Sequence, residues 1–310
     1  QFGFNHSTGY SMIGYLCAYM RYYYPEEFIA AYLNNANNED DIRYSTELAK
    51  IKGIKIHPIK FRHSGAEYTV DKANHCLYKG CSSVKFLNAD VSEQLYAMRD
   101  QKFDSFIDLL AVFPGNSRQR EILIRLGYFE EFGGSLKLLR IAETFDKYYG
   151  KKVIKKDKTN LPIEFLQKYC VSETEKQMKF DETSMCNLLS ELCNNIQDGD
   201  IPLQTRLQNE LEYLGYISYT DASRPNSAAV MDVNCKYTPK ITLYKFYDGS
   251  TITVKYKKKS YEQKPLNVGN IVNFSTETKP GWKKDEQGQW QVDYSKTDIW
   301  MTRCVIESYN

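Results

Sequence analysis

The chain has 310 residues, with 41 Lys and Arg against 39 Asp and Glu and a formal net charge of +2, which excludes nucleic-acid binding through bulk charge and leaves only local patches. Its length is that of two or three domains. Eight cysteines without a CxxC pair point to reduced thiols in the cytosol, and no run of 18 apolar residues or signal peptide suggests a membrane.

In chain order, Met12, Ile13, Leu16, Tyr19, Met20 and Tyr23 recur at three- and four-residue steps, which predicts a helix with one apolar face. Ser7 or Thr8 is placed to cap it. Tyr24 precedes a proline and is pushed out of the helical region. Pro25 then fits the first turn of a second helix, with Glu26 and Glu27 at its positive end. The expected result is a helical hairpin serving as core. A third helix runs to about Lys52 and stops at Gly53. Residues 53–58 alternate like a strand and end at Pro58, and 67–70 with 76–78 read as a β-pair around Asp71-Lys72-Ala73-Asn74. His57, His63, His75, Cys76 and Cys81 lie close in sequence, but their spacings match no common zinc pattern, so no metal site is expected. A helix over 91–99 has Asp90 and Glu93 at capping-box spacing. Helices over 103–113, 116–127 (capped by Asn116 or Ser117) and 136–149 follow.

Residues 147–158 hold six lysines and one acid and read as a flexible, solvated linker. Three or four helices are expected over 162–214, among them 185–196 and 202–214. From Tyr237 the period changes to two. Segments 240–247 and 251–256 flank Asp248-Gly249, a strong hairpin signal, and 270–276 and 299–307 are further strands, so a small barrel is expected. Over 236–310 there are 13 Lys or Arg against 8 acids. Tyr244, Tyr256 and neighbouring rings interleave with Lys245, Lys255, Lys257, Lys258 and Lys259, a pattern suited to single-strand binding and equally to an aromatic core with solubilising lysines.

The order of residue types at the start is more specific than its periodicity. The pattern F-x-x-x-H-S-x-x-Y-S-x-I-x-Y-x-x-A-Y-x-(K/R)-x-x-Y-P-x-E-F-x-A-A-x-L resembles a block of the C-family replicative DNA polymerases, the bacterial DNA polymerase III alpha type. Phe2, His6, Ser7, Tyr10, Ser11, Tyr15, Ala18, Tyr19, Arg21, Tyr24, Pro25, Glu27 and Phe28 fall on the family's positions. The resemblance implies that the block closes the fingers, with His6, Ser7, Tyr10 and Arg21 near incoming nucleotide and template. The family's N-K-S before the histidine is Gly3-Phe4-Asn5 here, so a lysine near the nucleotide phosphates is missing unless a two-residue gap puts His6 there.

Ser83 to Asp90 falls where the family has a helix-hairpin-helix element whose backbone amides hold a DNA phosphate. Phe86 and Asn88 stand in place of its two glycines, which should weaken that grip while keeping the fold. Lys79, Lys85, Arg118 and Arg120 are the expected DNA contacts nearby. Residues 116–129 resemble the family's N-K-R-x-x-E-x-L-I-x-x-G-A-F block, and 210–218 its E-x-E-x-L-G-x-Y-L-S. Gln177, Met178 and Phe180 stand where the family has a sliding-clamp peptide, kept exposed here by flanking Lys176 and Asp181.

The expected fold is therefore α+β: the end of the fingers over 1–75, a helix-hairpin-helix region over 76–150, a helical linker over 151–228 and an all-β OB-fold barrel over 229–310. The resemblance implies a C-terminal fragment of a bacterial or phage DNA polymerase, a cytoplasmic nucleotidyltransferase. Its partners would be primer-template duplex, single-stranded template, dNTP and the sliding clamp. The fragment itself needs no cofactor. The paired carboxylates that hold Mg²⁺ belong to the parent's palm, and no catalytic residue or metal ligand is expected here. A stand-alone single-stranded-DNA-binding module and a replisome scaffold without polymerase activity are the alternatives.

Overall fold

A computed structural model of the chain describes residues 3–36, 39–284 and 289–307. Phe2 of the opening motif lies outside the described residues. The chain divides into two compact units, Gln1–Ile201 and Pro202–Asn310.

The first unit opens with helix α1 (Phe4–Tyr23), α2 (Pro25–Asn34) and α3 (Glu39–Lys52). Pro25 occupies the first turn of α2, with Glu26 and Glu27 beside it. Gly53 ends α3 at φ +70°, a left-handed value that costs glycine least. The α1 cap differs from expectation. The helix already begins at Phe4, so the Ser7 and Thr8 hydroxyls donate back to the Phe4 carbonyl at 3.0 and 2.9 Å instead of capping.

Strands β1 (Lys55–His57), β2 (Thr69–Asp71) and β3 (Cys76–Tyr78) form a sheet in the order β1-β3-β2, with β1 parallel and β2 antiparallel to β3. Ile29, Leu33, Leu48, Ile54 and Leu77 pack together where α2, α3 and this sheet meet. The expected division at 75/76 falls between β2 and β3, which are paired.

Helices α4 (Ala89–Ala97), α5 (Phe106–Ala111), α6 (Ser117–Arg125) and α7 (Ser135–Tyr148) follow. Ser105 with Asp108 and Asn116 with Gln119 form capping boxes for α5 and α6. No side chain caps α4. Glu93, expected to box with Asp90, instead accepts from the Ala66 amide at 3.1 Å and pins the preceding loop. Phe61 lies at the centre of a ring cluster, 6.0 Å from Tyr128 and 5.6 Å from Phe129, which holds the helices to the loop after β1.

The lysine-rich stretch 147–158 is not a free linker. It contains β4 (Val153–Lys155), which pairs with β6 (Gln177–Lys179) in a small sheet ordered β4-β6-β5, where β5 is Ser172–Glu173. Helix α8 (Ile163–Gln167) precedes β5, and α9 (Glu182–Asn194), capped by Asp181 and Ser184, closes the group. Ile154, Leu166, Met178, Phe180, Met185 and Leu188 form its core.

The second unit starts with α10 (Leu203–Tyr213), then β7 (Ser227–Asn234), β8 (Lys240–Lys245), β9 (Thr251–Lys255), α11 (Lys258–Gln263), β10 (Ile271–Lys284) and β11 (Trp290–Ile306). The five strands pair in the order β7-β8-β9-β11-β10, and β10 returns to β7. The β9–β11 seam is parallel and consists of one pair, Lys255 with Trp300. This strand order, with a helix between the third and fourth strands, is OB-like. Val230, Leu243, Val254, Val272 and Met301 fill the interior. A second apolar layer joins Leu207 of α10 and Ile217 to Tyr244, Phe246 and Ile271. The expected boundary at 228/229 therefore lies inside this unit, because α10 covers the outer face of the sheet. No described helix is long and apolar enough to cross a membrane.

Candidate nucleic-acid interface

Strands β10 and β11 run well past the ring of strands as a two-stranded ribbon. A register break between Pro280 and Gly281 precedes the pairs Trp282–Val292, Lys283–Gln291 and Lys284–Trp290. Side chains alternate along a strand, and directly paired residues share a face. Trp282, Lys284, Trp290 and Val292 therefore lie on one face. Trp282 is 59% and Trp290 63% exposed, and the Lys284 ammonium lies 5.4 Å from the Trp290 ring centre. At the base of the ribbon Trp300 has Lys255 and Lys279 at 5.8 and 5.9 Å from its ring. Flat rings beside ammonium groups suit a nucleic-acid strand, with bases on the rings and phosphates on the cations.

The ring-and-lysine pattern seen in the sequence lies elsewhere, and its rings are unavailable. Tyr244 and Tyr256 are each only 7% exposed, Tyr244 against α10 and Tyr256 inside the barrel. Burial pushes the Tyr244 hydroxyl up to about 12. Lys245 is paired with Asp248 at 3.0 Å, and hydrogen bonds from Ser250 and Lys245 hold that carboxyl down to about 2. Lys255 is paired with Asp298 at 2.5 Å. Lys257, Lys258 and Lys259 are exposed at the start of α11. The ribbon tryptophans were missed because the strands expected from sequence stop at 276 and resume at 299, whereas β10 and β11 run on to Lys284 and from Trp290. The available signal was the period-two spacing of Trp282 with Lys284 and of Trp290 with Val292 and Tyr294.

In the first unit, Phe86 stands at the hairpin before α4 with φ +68°, the left-handed conformation that the replaced glycine would adopt freely. For a bulky residue this costs about 1–2 kcal/mol. The Phe86 carbonyl accepts from the buried Gln119 amide at 3.3 Å, and the Arg118 guanidinium lies 4.2 Å from its ring centre. Lys85 is exposed beside it, whereas Lys79 is half-buried. Arg120, expected among the DNA contacts, is 7% exposed and ion-paired with Asp146 of α7, so it is structural.

His6, Ser7, Tyr10 and Arg21 all lie on α1, and His6 and Tyr10 meet edge-on at 4.7 Å. Arg21 donates to the Tyr44 hydroxyl at 2.7 Å, tying α1 to α3. The apolar stripe of α1 is not core. Met12, Ile13, Leu16 and Tyr23 are between 56% and 64% exposed. Periodicity identified the face but not what covers it.

The clamp-peptide expectation is corrected. Gln177-Met178-Lys179 is the central strand β6, Met178 is fully buried and Phe180 is 5% exposed, so its two anchors face inward. In the His and Cys group, His57 and His63 stack on Tyr78 at 5.1 and 4.3 Å, and burial pushes the Cys81 thiol up to about 12. No three His, Cys, Asp or Glu side chains converge among the described residues.

A helix-hairpin-helix motif family matches residues 53–139. The chain is 33% identical over 148 residues to the DNA polymerase III subunit alpha of Campylobacter jejuni, covering 44% of this chain and 12% of that protein. To the same subunit of Bacillus subtilis it is 32% identical over 139 residues, 43% of this chain and 12% of that protein. To that of Borreliella burgdorferi it is 30% identical over 167 residues, 51% of this chain and 14% of that protein. The hairpin, the helices that hold it and these relatives agree: about half of the chain is similar to DNA polymerase III alpha subunits, and the three matches span 12–14% of those proteins' length.

Proposed function

We propose that the chain is the DNA-handling, C-terminal portion of a DNA polymerase III alpha-type enzyme. In this reading the parent synthesises DNA on a template, while this portion guides template and duplex and has no nucleotidyl-transfer activity of its own. The observation that carries it is the exposed ribbon face of Trp282, Lys284 and Trp290 on an OB-like sheet, in a chain related to these polymerase subunits. The fingers block on α1, with His6, Ser7, Tyr10 and Arg21, would then lie near nucleotide and template. The parent's palm would hold the Mg²⁺ ions that activate the primer hydroxyl.

A titration of the chain with oligothymidylate at several salt concentrations tests the reading. With about four phosphates neutralised, log K should fall with log salt at a slope near −3, from ~0.7 per contact. Changing Lys257, Lys258 and Lys259 to Ala should flatten the slope by up to about 2 if each holds a phosphate. Trp282→Ala/Trp290→Ala should cut affinity while leaving the slope nearly unchanged. No salt-dependent binding would favour the scaffold reading instead. Primer extension by the pure chain with Mg²⁺ and dNTPs would contradict the division of labour.

A further inference from the structure

The hairpin before α4 holds an aromatic ring where its geometry asks for glycine. Phe86 adopts φ +68°, and the buried Gln119 side chain, itself bonded to the Asn116 amide at 3.1 Å, fixes its carbonyl from α6. A strained residue is ordinarily offset by burial of its side chain, but Phe86 is 55% exposed. One face of its ring is taken by the Arg118 guanidinium at 4.2 Å, so solvent holds the remainder. Lys85 is exposed next to it.

We infer that Phe86 and Arg118 form a stacking platform for an unpaired DNA base, so that this hairpin grips a strand through a ring where a glycine hairpin would use its amides. The chemistry follows from the pieces. The guanidinium fixes the ring plane and polarises it, a base stacks on the free face, and Lys85 with the edge of Arg118 meets the adjoining phosphates. Phe86 also crowds the backbone that would otherwise approach a phosphate, so gaining the ring and losing the amide grip are one change. This inference rests on the nucleic-acid reading above.

The test uses the full chain and oligothymidylate carrying 5-iododeoxyuridine, which crosslinks to a stacked aromatic ring on irradiation. Phe86→Asn keeps the left-handed turn without strain. It should raise the melting temperature by about 2–8 °C, from the strain of a left-handed bulky residue in a unit of this size. It should also lower affinity about 5- to 150-fold, the loss of one stacked base. The peptide containing Phe86 should carry a crosslink in the wild type and lose it in Phe86→Asn, and Phe86→Trp should restore binding. DNA bound with crosslinks confined to the ribbon, and Phe86→Asn more stable with unchanged affinity, would overturn the platform and leave the DNA reading standing. No DNA binding by the wild type would remove both.

Discussion

Truncating Met178 separates a structural strand from an exposed tether. Met178 is the middle residue of β6, paired with Ile154 on one side and Glu173 on the other, and its side chain is fully buried against Leu166, Met185 and Leu188. Met→Ala in such a site costs about 2–5 kcal/mol, and Phe180→Ala about 3–5 kcal/mol. For a unit of this size each kcal/mol lowers Tm by about 2–4 °C, so Met178→Ala should lower it by about 4–20 °C. Gln177 is only half-buried, and Gln177→Ala should cost less than about 0.5 kcal/mol. Thermal unfolding followed by circular dichroism, with urea titration for the free energies, measures all three. A tether would show the opposite pattern, with Gln177→Ala and Phe180→Ala equally stable and both losing a clamp partner. Met178→Ala and Phe180→Ala proteins melting within 1 °C of wild type, set against the ~4 °C minimum loss expected, would refute the burial argument.

Two further outcomes follow from side chains assigned different work by the structure. Arg120→Met should lower Tm, because the residue is buried and its partner Asp146 is left without its cation, while DNA affinity stays within twofold. Loss of affinity at unchanged Tm would return Arg120 to the DNA surface. His75 has its pKa raised, first by the Lys52 carbonyl and then by Glu26, which its ring meets at 2.6 Å. A raised folded value means that its stabilisation is complete below the ordinary value of about 6.5 and fades as pH rises through the folded value. His75→Asn, which tolerates the left-handed φ of +52° there, should flatten that dependence. A His75 titration by NMR at or below the ordinary value would contradict it.

What the sequence made legible is what local chemistry decides. Pro25 at the start of α2, Gly53 after α3 and the Asn116 box on α6 are each set by neighbours within four residues. The β4-β6-β5 sheet was missed because strands of two or three residues have no period to read. The burial of Tyr244 depends on α10, which comes from another part of the chain, and alternation alone does not say that both faces of β8 are covered. The exposed stripe of α1 is the converse case, an amphipathic pattern without the cover that such patterns usually have. In the candidate site, the lysines were legible as charge, but the rings beside them were the wrong ones. The ribbon joins Trp282 to Trp290 by a register that only pairing reveals.

The chain's three tryptophans, Trp282, Trp290 and Trp300, all lie on β10 and β11, so tryptophan emission excited apart from the tyrosines reports on these two strands. The most direct measurement is tryptophan emission during titration with oligothymidylate at low salt. If the ribbon face carries the strand, emission should be quenched in step with binding measured independently by anisotropy of a labelled oligonucleotide, and Trp282→Ala/Trp290→Ala should weaken that binding by at least about fivefold. Anisotropy that rises while tryptophan emission stays constant, with the double variant binding as tightly as wild type, would contradict the assignment of this face to DNA.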